Sequence, residues 1–140
     1  MRLTLGRGVR IQHGARISVW AEGKLALADF VLVNSGAKVI CNKRVSVGRE
    51  TRIAWESLVM DSDFHQMIGS DGQPTNEDSS VQIGERVWIG TRVIVLKGSE
   101  IADGCVVGAG AVVNRCYDEK AALIGGNPGG ILRRGIAWRG

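Results

Sequence analysis

From Ile83 the chain reads as six hexapeptides without a break: IGERVW, IGTRVI, VLKGSE, IADGCV, VGAGAV and VNRCYD. Each opens on Ile or Val, and the second and fifth positions are mostly small. A period of six fits neither the 3.6-residue helix nor the two-residue alternation of a strand, so it is read as a repeat before any local structure. It suits a triangular coil of three short strands. One apolar side chain per face points inward, and a small residue sits near each corner. Ile83, Ile89, Val95, Ile101, Val107 and Val113 are the predicted interior ladder. Strands of successive coils would pair in parallel about 4.8 Å apart. Each coil buries little by itself, so stability has to come from stacking.

The same period runs through the first half with slips. Leu5, Ile11 and Ile17 are six apart, with Val9, Ala15 and Ala21 at the small positions. The phase slips over Gly23–Ala28, resumes at Val33 and Val39, slips by two at Val45–Val47, and continues through Val47, Ile53 and Val59. One segment refuses the repeat: residues 64–80, FHQMIGSDGQPTNEDSS, are polar and carry Asp-Gly and Gly-Gln-Pro turn signals. A long irregular stretch between two phased blocks is expected to project as a loop, and such loops are usually functional. After Asp118 the sequence AALIGGNPGGILRRGIAW places Ile131 and Leu132 beyond a Gly-Pro turn. This reads as a short segment capping the open end of the solenoid, where unpaired edges would otherwise remain.

Composition adds little to this picture and removes much. The 140 residues suit one all-β domain, 1–140, with a real core. No apolar run approaches the length of a membrane span, and the N-terminus lacks a signal-peptide stretch. Cys41, Cys105 and Cys116 have neither metal nor redox spacing and read as small buried thiols in a reducing cytoplasm. The net charge of +4 suits an anionic partner, but the basic residues are scattered rather than interleaved with aromatics. That argues against nucleic acid.

The hexads, together with Val87-Trp88-Ile89-Gly90, Val107-Gly108-Ala109-Gly110 and Gly126-Asn127-Pro128, resemble the hexapeptide-repeat acyltransferases. The closest likeness is to the galactoside, maltose and polysaccharide O-acetyltransferases. The resemblance implies a single-stranded left-handed parallel β-helix, although the general crossover rule favours the right hand. It also implies a homotrimer with active sites between subunits, and acetyl-CoA as donor without a metal. Its repeats start by Leu5, with no helical region before them. That points to the shorter polysaccharide-type enzymes, and to a glycan acceptor in lipopolysaccharide, capsule or exopolysaccharide assembly.

Acyl transfer to a hydroxyl needs a base near neutral pKa, and histidine suits that role. His65 stands where a coil ends and the loop begins, the place of the family's catalytic histidine. His13 matches no motif and reads as structural or exposed. Asp63 and Asp61 lie within reach to orient the imidazole, as does a backbone carbonyl. Asp61 is also a candidate acceptor contact, with Asn34, which aligns with a family asparagine that meets the acceptor across the subunit interface. Gly90, Thr91, Gly108 and Ala109 match positions where pantetheine approaches the backbone; they also serve as tight corners. Trp88 is expected at a trimer interface or a wall of the acyl pocket. Arg115 and Arg133, with Arg134 adjacent, match positions near the CoA phosphates. Two departures stand out. Gln66 replaces a common proline after the histidine, and Gly-Asn-Pro-Gly-Gly lacks a lysine that could meet the cofactor. Transfer to an amine on an amino sugar is the rival reading, followed by a non-catalytic scaffold. A zinc carbonic anhydrase would need a third histidine.

Overall fold

A computed structural model describes residues 1–140. It contains strands and turns and no helix. The first coil is β1 (Arg2–Leu5), β2 (Arg10–Ile11) and β3 (Arg16–Val19); the second is β4 (Lys24–Leu27), β5 (Leu32–Val33) and β6 (Lys38–Cys41). The third is β7 (Arg44–Val47), β8 (Arg52–Ile53) and β9 (Leu58–Met60), and the fourth is β10 (Val81–Ile83), β11 (Trp88–Ile89) and β12 (Ile94–Val95). The fifth is β13 (Glu100–Ile101), β14 (Val106–Val107) and β15 (Val112–Val113). The last holds β16 (Cys116–Tyr117) and β17 (Leu123–Gly125), followed by β18 (Gly130–Arg133).

Every third strand stacks on the same face, so the coil is a three-sided left-handed parallel β-helix of about six turns. Face A is β1-β4-β7-β10-β13-β16, face B is β2-β5-β8-β11-β14-β17-β18, and face C is β3-β6-β9-β12-β15. All pairs are parallel except β17–β18. The hexad explains each corner. In Ile83-Gly84-Glu85-Arg86-Val87, Ile83 and Val87 point inward and are buried, and Arg86 turns the chain with φ 50°. Later corners put glycine at that left-handed position, as at Gly110 with φ 74°, where a side chain would be strained.

The register explains the phase slips. On face C, Ile17 pairs with Val39, Val39 with Val59, Val59 with Val95, and Val95 with Val113. The coils therefore advance by 22, 20, 36 and 18 residues. Only the last is the ideal three hexads. Face B shows the same advances, through Ile11, Val33, Ile53, Ile89 and Val107. The residues added in these advances leave the solenoid at the corner between faces C and A, within residues 20–23, 42–43 and 61–80, whereas in the last coil the advances of 16 on face A and 17 on face B place one added residue at the A–B corner.

Twenty-five buried residues form one continuous core. The predicted ladder from Ile83 to Val113 lies within it, none of the six more than 3% exposed. Thr51 and Ser57, at small corner positions, join the coils on either side of the loop. Thr51 Oγ1 donates to Gly84 O (2.8 Å) and accepts from Val87 N (3.0 Å). Ser57 Oγ donates to Gly90 O (2.7 Å) and accepts from Val93 N (3.2 Å).

Three expectations are corrected. Cys41 and Cys105 are buried, but Cys116 is exposed because its neighbour Tyr117 takes the inward place on β16. Leu5 and Ile11 are exposed (47% and 41%), because no coil stacks on the first one. The hexad VNRCYD is cut short: Tyr117, four residues after Val113, takes the inward place in register with Ile101. Its hydroxyl donates to Gly129 O (2.7 Å), which also accepts from Arg115 Nη2 (2.7 Å). The C-terminal cap forms through Ile131, which packs on the core, whereas Leu132 turns outward.

Ile89 is fully buried at the centre of face B. Ile89→Ala is expected to cost about 2–5 kcal/mol, read from urea unfolding, because the stacked coils on either side restrain collapse of the cavity.

Candidate active site

The loop that interrupts the repeat begins at a buried carboxylate. Asp61 follows β9 at an inward position and is 0% exposed. Its Oδ1 accepts from Asn42 N (2.7 Å), and its Oδ2 accepts from Lys43 N (2.8 Å) and Arg44 N (2.6 Å). Cys41 Sγ also donates to Oδ2, at 3.6 Å. The two-residue corner after β6 leaves these amides without a strand partner, and the carboxylate supplies one. In the single chain the oxygens of Asp61 are given to the backbone and to Cys41, and none of them bonds His65. Burial, and then the Asp61 charge, push the Cys41 thiol up to about 11.

Asp63 is likewise engaged elsewhere. Its Oδ2 meets Lys97 Nζ at 2.9 Å and accepts from Asn76 Nδ2 at 2.7 Å. The hydrogen bond from Lys97, then that from Asn76, hold its carboxyl below the usual range. Asn76 ties the loop's base together. It also donates to His65 O (2.9 Å), and its Oδ1 accepts from Met67 N (2.7 Å). Lys97 Nζ reaches Asn76 O (2.7 Å) from the next coil. In the single chain Asp63 thus anchors the loop through Oδ2. Asn76 and Lys97 escaped the sequence reading because their shared partner, Asp63, lies 13 and 34 residues from them in the chain.

His65 itself is exposed. Phe64, with φ 59°, rests edge-on against Trp20 (centroids 6.0 Å apart), so the chain turns sharply just before the histidine. His65 lines a cleft of about 460 Å³ with Asn42, Lys43, Ser62, Gln66 and Asn76.

The other predicted groups lie on a different edge. The corner between faces B and C stacks residues in columns. Backbone bonds run from Gln12 N to Val33 O, Asn34 N to Ile53 O, Ala54 N to Ile89 O and Gly90 N to Val107 O. Gln12, Asn34, Ala54, Gly90 and Gly108 therefore form one column, and His13, Ser35, Trp55, Thr91 and Ala109 the next. Gly90 is buried, and a Cβ there would lie 2.7 Å from Val107 O, so coil stacking alone demands a glycine. Thr91 and Ala109 are exposed on the smooth rim. Asn34 lines a cavity of about 230 Å³ with Arg52, Trp55, Trp88 and Trp138. Trp88 faces outward from face B and stacks on Trp138 (6.1 Å), whose Nε1 donates to Arg86 O (2.7 Å). The last residues thus fold back along face B, an arrangement without a sequence signal.

The remaining basic candidates sit apart. Arg115, at the C–A corner, lies over Tyr117 (5.4 Å) as well as bonding Gly129. Arg133 stands opposite Leu123 at the far end of β18, and Arg134 pairs with Glu119 at 2.9 Å. Within the single chain, His65, the smooth rim and these arginines do not converge.

The family model described as bacterial transferase hexapeptide (six repeats) matches residues 80–115. The chain is also 33% identical, over 130 residues, to WbbJ of Escherichia coli (strain K12), a candidate lipopolysaccharide biosynthesis O-acetyl transferase. That match covers 86% of this chain and 66% of WbbJ. The chain belongs to the hexapeptide-repeat acyltransferase family. Among solved structures it superposes on the polysialic acid O-acetyltransferase OatWY with a TM-score of 0.72 at 22% identity, over 98% of this chain and 70% of that one. It superposes on AntD, an N-acyltransferase from Bacillus cereus, with a TM-score of 0.79 at 18% identity, over 94% and 72%. These two likenesses are of fold. The chain spans between 46% and 66% of the first three curated relatives it matches. No helix is long and apolar enough to cross a membrane.

Two predictions concern the loop's foundation in this hexapeptide-repeat protein. Asp61→Asn turns an amide donor toward backbone donors and is expected to lower stability by about 1–3 kcal/mol in chemical unfolding. Cys41 holds its proton more tightly folded than unfolded, where its thiol titrates near 9.0. Its contribution is therefore complete below pH 9 and lost as pH rises toward about 11. That part of the alkaline fall in the urea midpoint should vanish in Cys41→Ala, and an unaltered fall would refute the assignment.

Proposed function

We propose that this chain transfers an acetyl group from acetyl-CoA to a sugar hydroxyl in polysaccharide assembly, with His65 as general base, in a homotrimer whose sites lie between subunits. The observation that carries this reading is the separation of the two half-sites. The histidine cleft occupies the C–A corner, and the rim of Asn34, Thr91 and Ala109 occupies the B–C corner. Each half is incomplete alone, and threefold packing would bring one protomer's loop to its neighbour's rim. The family membership and the polysaccharide context of WbbJ support the class of reaction.

The chemistry follows from those groups. His65 accepts the hydroxyl proton as the sugar oxygen attacks the thioester carbonyl. A backbone amide near Thr91 donates to the oxyanion of the tetrahedral intermediate. The C–S bond then breaks, CoA leaves as its thiolate, and the imidazolium returns the proton to it. Both substrates meet in one site, so no acetyl-enzyme is required. Trp88 would wall the acyl pocket. Gly108 leaves room beside the rim, since a Cβ there would come no nearer than 3.6 Å to Ile124 O. Phosphate contacts by Arg115 and Arg133 depend on the assembled trimer. The cytoplasm, where acetyl-CoA is available, is the proposed compartment. Transfer to an amine is the second reading, favoured by the fold likeness to AntD, and a panel of paired hydroxy and amino sugars separates the two.

His65→Ala is expected to lower kcat by about 10²–10⁴-fold while calorimetric acetyl-CoA affinity stays unchanged. Full turnover in the folded variant would remove the base assignment. Mixed trimers of His65→Ala and Asn34→Ala should recover turnover that neither variant shows alone. Failure to recover would argue against shared sites.

A further inference from the structure

The B–C edge changes character along the solenoid axis. The first two coils present Gln12 and His13, then Asn34 and Ser35, all hydrogen-bonding side chains. The fourth and fifth present Gly90, Thr91, Gly108 and Ala109, which leave the rim smooth. Between them stands Trp55, the one large side chain of its column. Arg92 N donates to Trp55 O (3.0 Å) and Gly110 N to Thr91 O (3.0 Å), so Trp55 lies directly beside Thr91. Its backbone is tied further, since Thr91 Oγ1 donates to the same carbonyl at 2.8 Å. The indole is 58% exposed, more than any other tryptophan of the solenoid body. Trp88 is paired with Trp138, whereas no ring stacks on Trp55.

An exposed indole fixed at its backbone and flanked by amide and hydroxyl groups is a surface for a ring with one apolar face and polar edges. A pyranose has that form: its axial C–H bonds make an apolar face, and its hydroxyls project around the rim. Resting on the reading of this edge as the transfer site, we propose that Trp55 is the stacking platform for the acceptor sugar, with Asn34 holding a hydroxyl beside it. We further assign His13 and Gln12, two coils away, to a second sugar residue. Successive coils lie about 4.8 Å apart, so His13 stands about 10 Å along the edge from Trp55. A single ring does not span that length, and the preferred acceptor is therefore an oligosaccharide. Thr91 and Ala109, on the opposite side of Trp55, are left for the pantetheine arm. Trp55 thus marks the boundary between acceptor and donor.

The test uses the full chain with two saccharide series of one to four pyranose residues, maltose-type and chitin-type. Binding is read first without acetyl-CoA, by saturation transfer from protein to the sugar ring protons, and turnover is measured afterwards. In the wild type, saturation should reach the C–H protons of one ring face and grow with chain length. Trp55→Ala should lower it at least tenfold for every saccharide, and Trp55→Phe should retain most of it. His13→Ala should weaken only saccharides of two or more residues. In turnover, Trp55→Ala should raise KM for the sugar at least tenfold while the calorimetric acetyl-CoA affinity changes less than twofold. If Trp55→Ala abolishes saturation of the sugar and the wild type shows no turnover, the transfer reading falls and this one stands. Turnover in the wild type with an unchanged sugar KM in Trp55→Ala would do the reverse. Absence of saturation transfer from the wild type to either series overturns the proposal. So does a Trp55→Ala variant that changes molecular mass in light scattering without changing sugar binding, which would make Trp55 an interface residue between protomers.

Discussion

Everything in this molecule depends on each coil returning to register with the one before it. Strands of two to four residues have no stability alone. They persist because the backbone pairs of successive coils stack in parallel and the inward aliphatics form a continuous ladder. An extra residue inside a face would turn the next inward side chain outward. Through the fifth coil the chain avoids this by placing its insertions at a single corner, between faces C and A. The three faces and the other two corners stay regular over those coils, and the irregular corner gains the loop that carries His65.

That arrangement puts a demand on the insertion corner, which loses backbone partners wherever residues are added. Asp61 meets it with a buried carboxylate serving three amides of the neighbouring coil. Thr51 and Ser57 do comparable work on the other two corners, where coil four must find coil three after a long excursion. Asn76 and Lys97 then anchor the loop's base to the coil beyond it. Polar groups set the geometry where the apolar ladder cannot reach, since burial alone is non-directional.

The corner between faces B and C owes its character to the opposite condition. Its columns are straight, so side chains far apart in sequence stand in line about one coil spacing from each other. Asn34, Trp55, Thr91 and Ala109 share an edge only because 22-, 20-, 36- and 18-residue advances all return to the same phase. A solenoid of this kind acts as a ruler, and an elongated ligand can be read along it.

Much of this was legible in the residues themselves. The six-residue period determined the coil, the interior ladder, the small corners and the projecting segment at 64–80, because each follows from which side chains can face inward in a triangular turn. The position of His65 where the projecting segment begins was legible from the end of a phased block, and the cap from the Gly-Pro turn before Ile131. Only the tertiary structure decided what the polar groups do. Asp61 and Asp63 read as partners of a histidine two or four residues away, yet their oxygens go to amides 17–19 residues upstream and to Asn76 and Lys97 downstream. Gly90 read both as a cofactor approach and as a tight corner, and the carbonyl of Val107 in the next coil is what requires a glycine there. The alignment of Trp55 with Asn34 and Thr91, and the return of Trp138 onto Trp88, depend on stacking register and on the path of the tail. A periodic sequence specifies how one coil is built, whereas the pairing of side chains between coils depends on the length of every insertion between them.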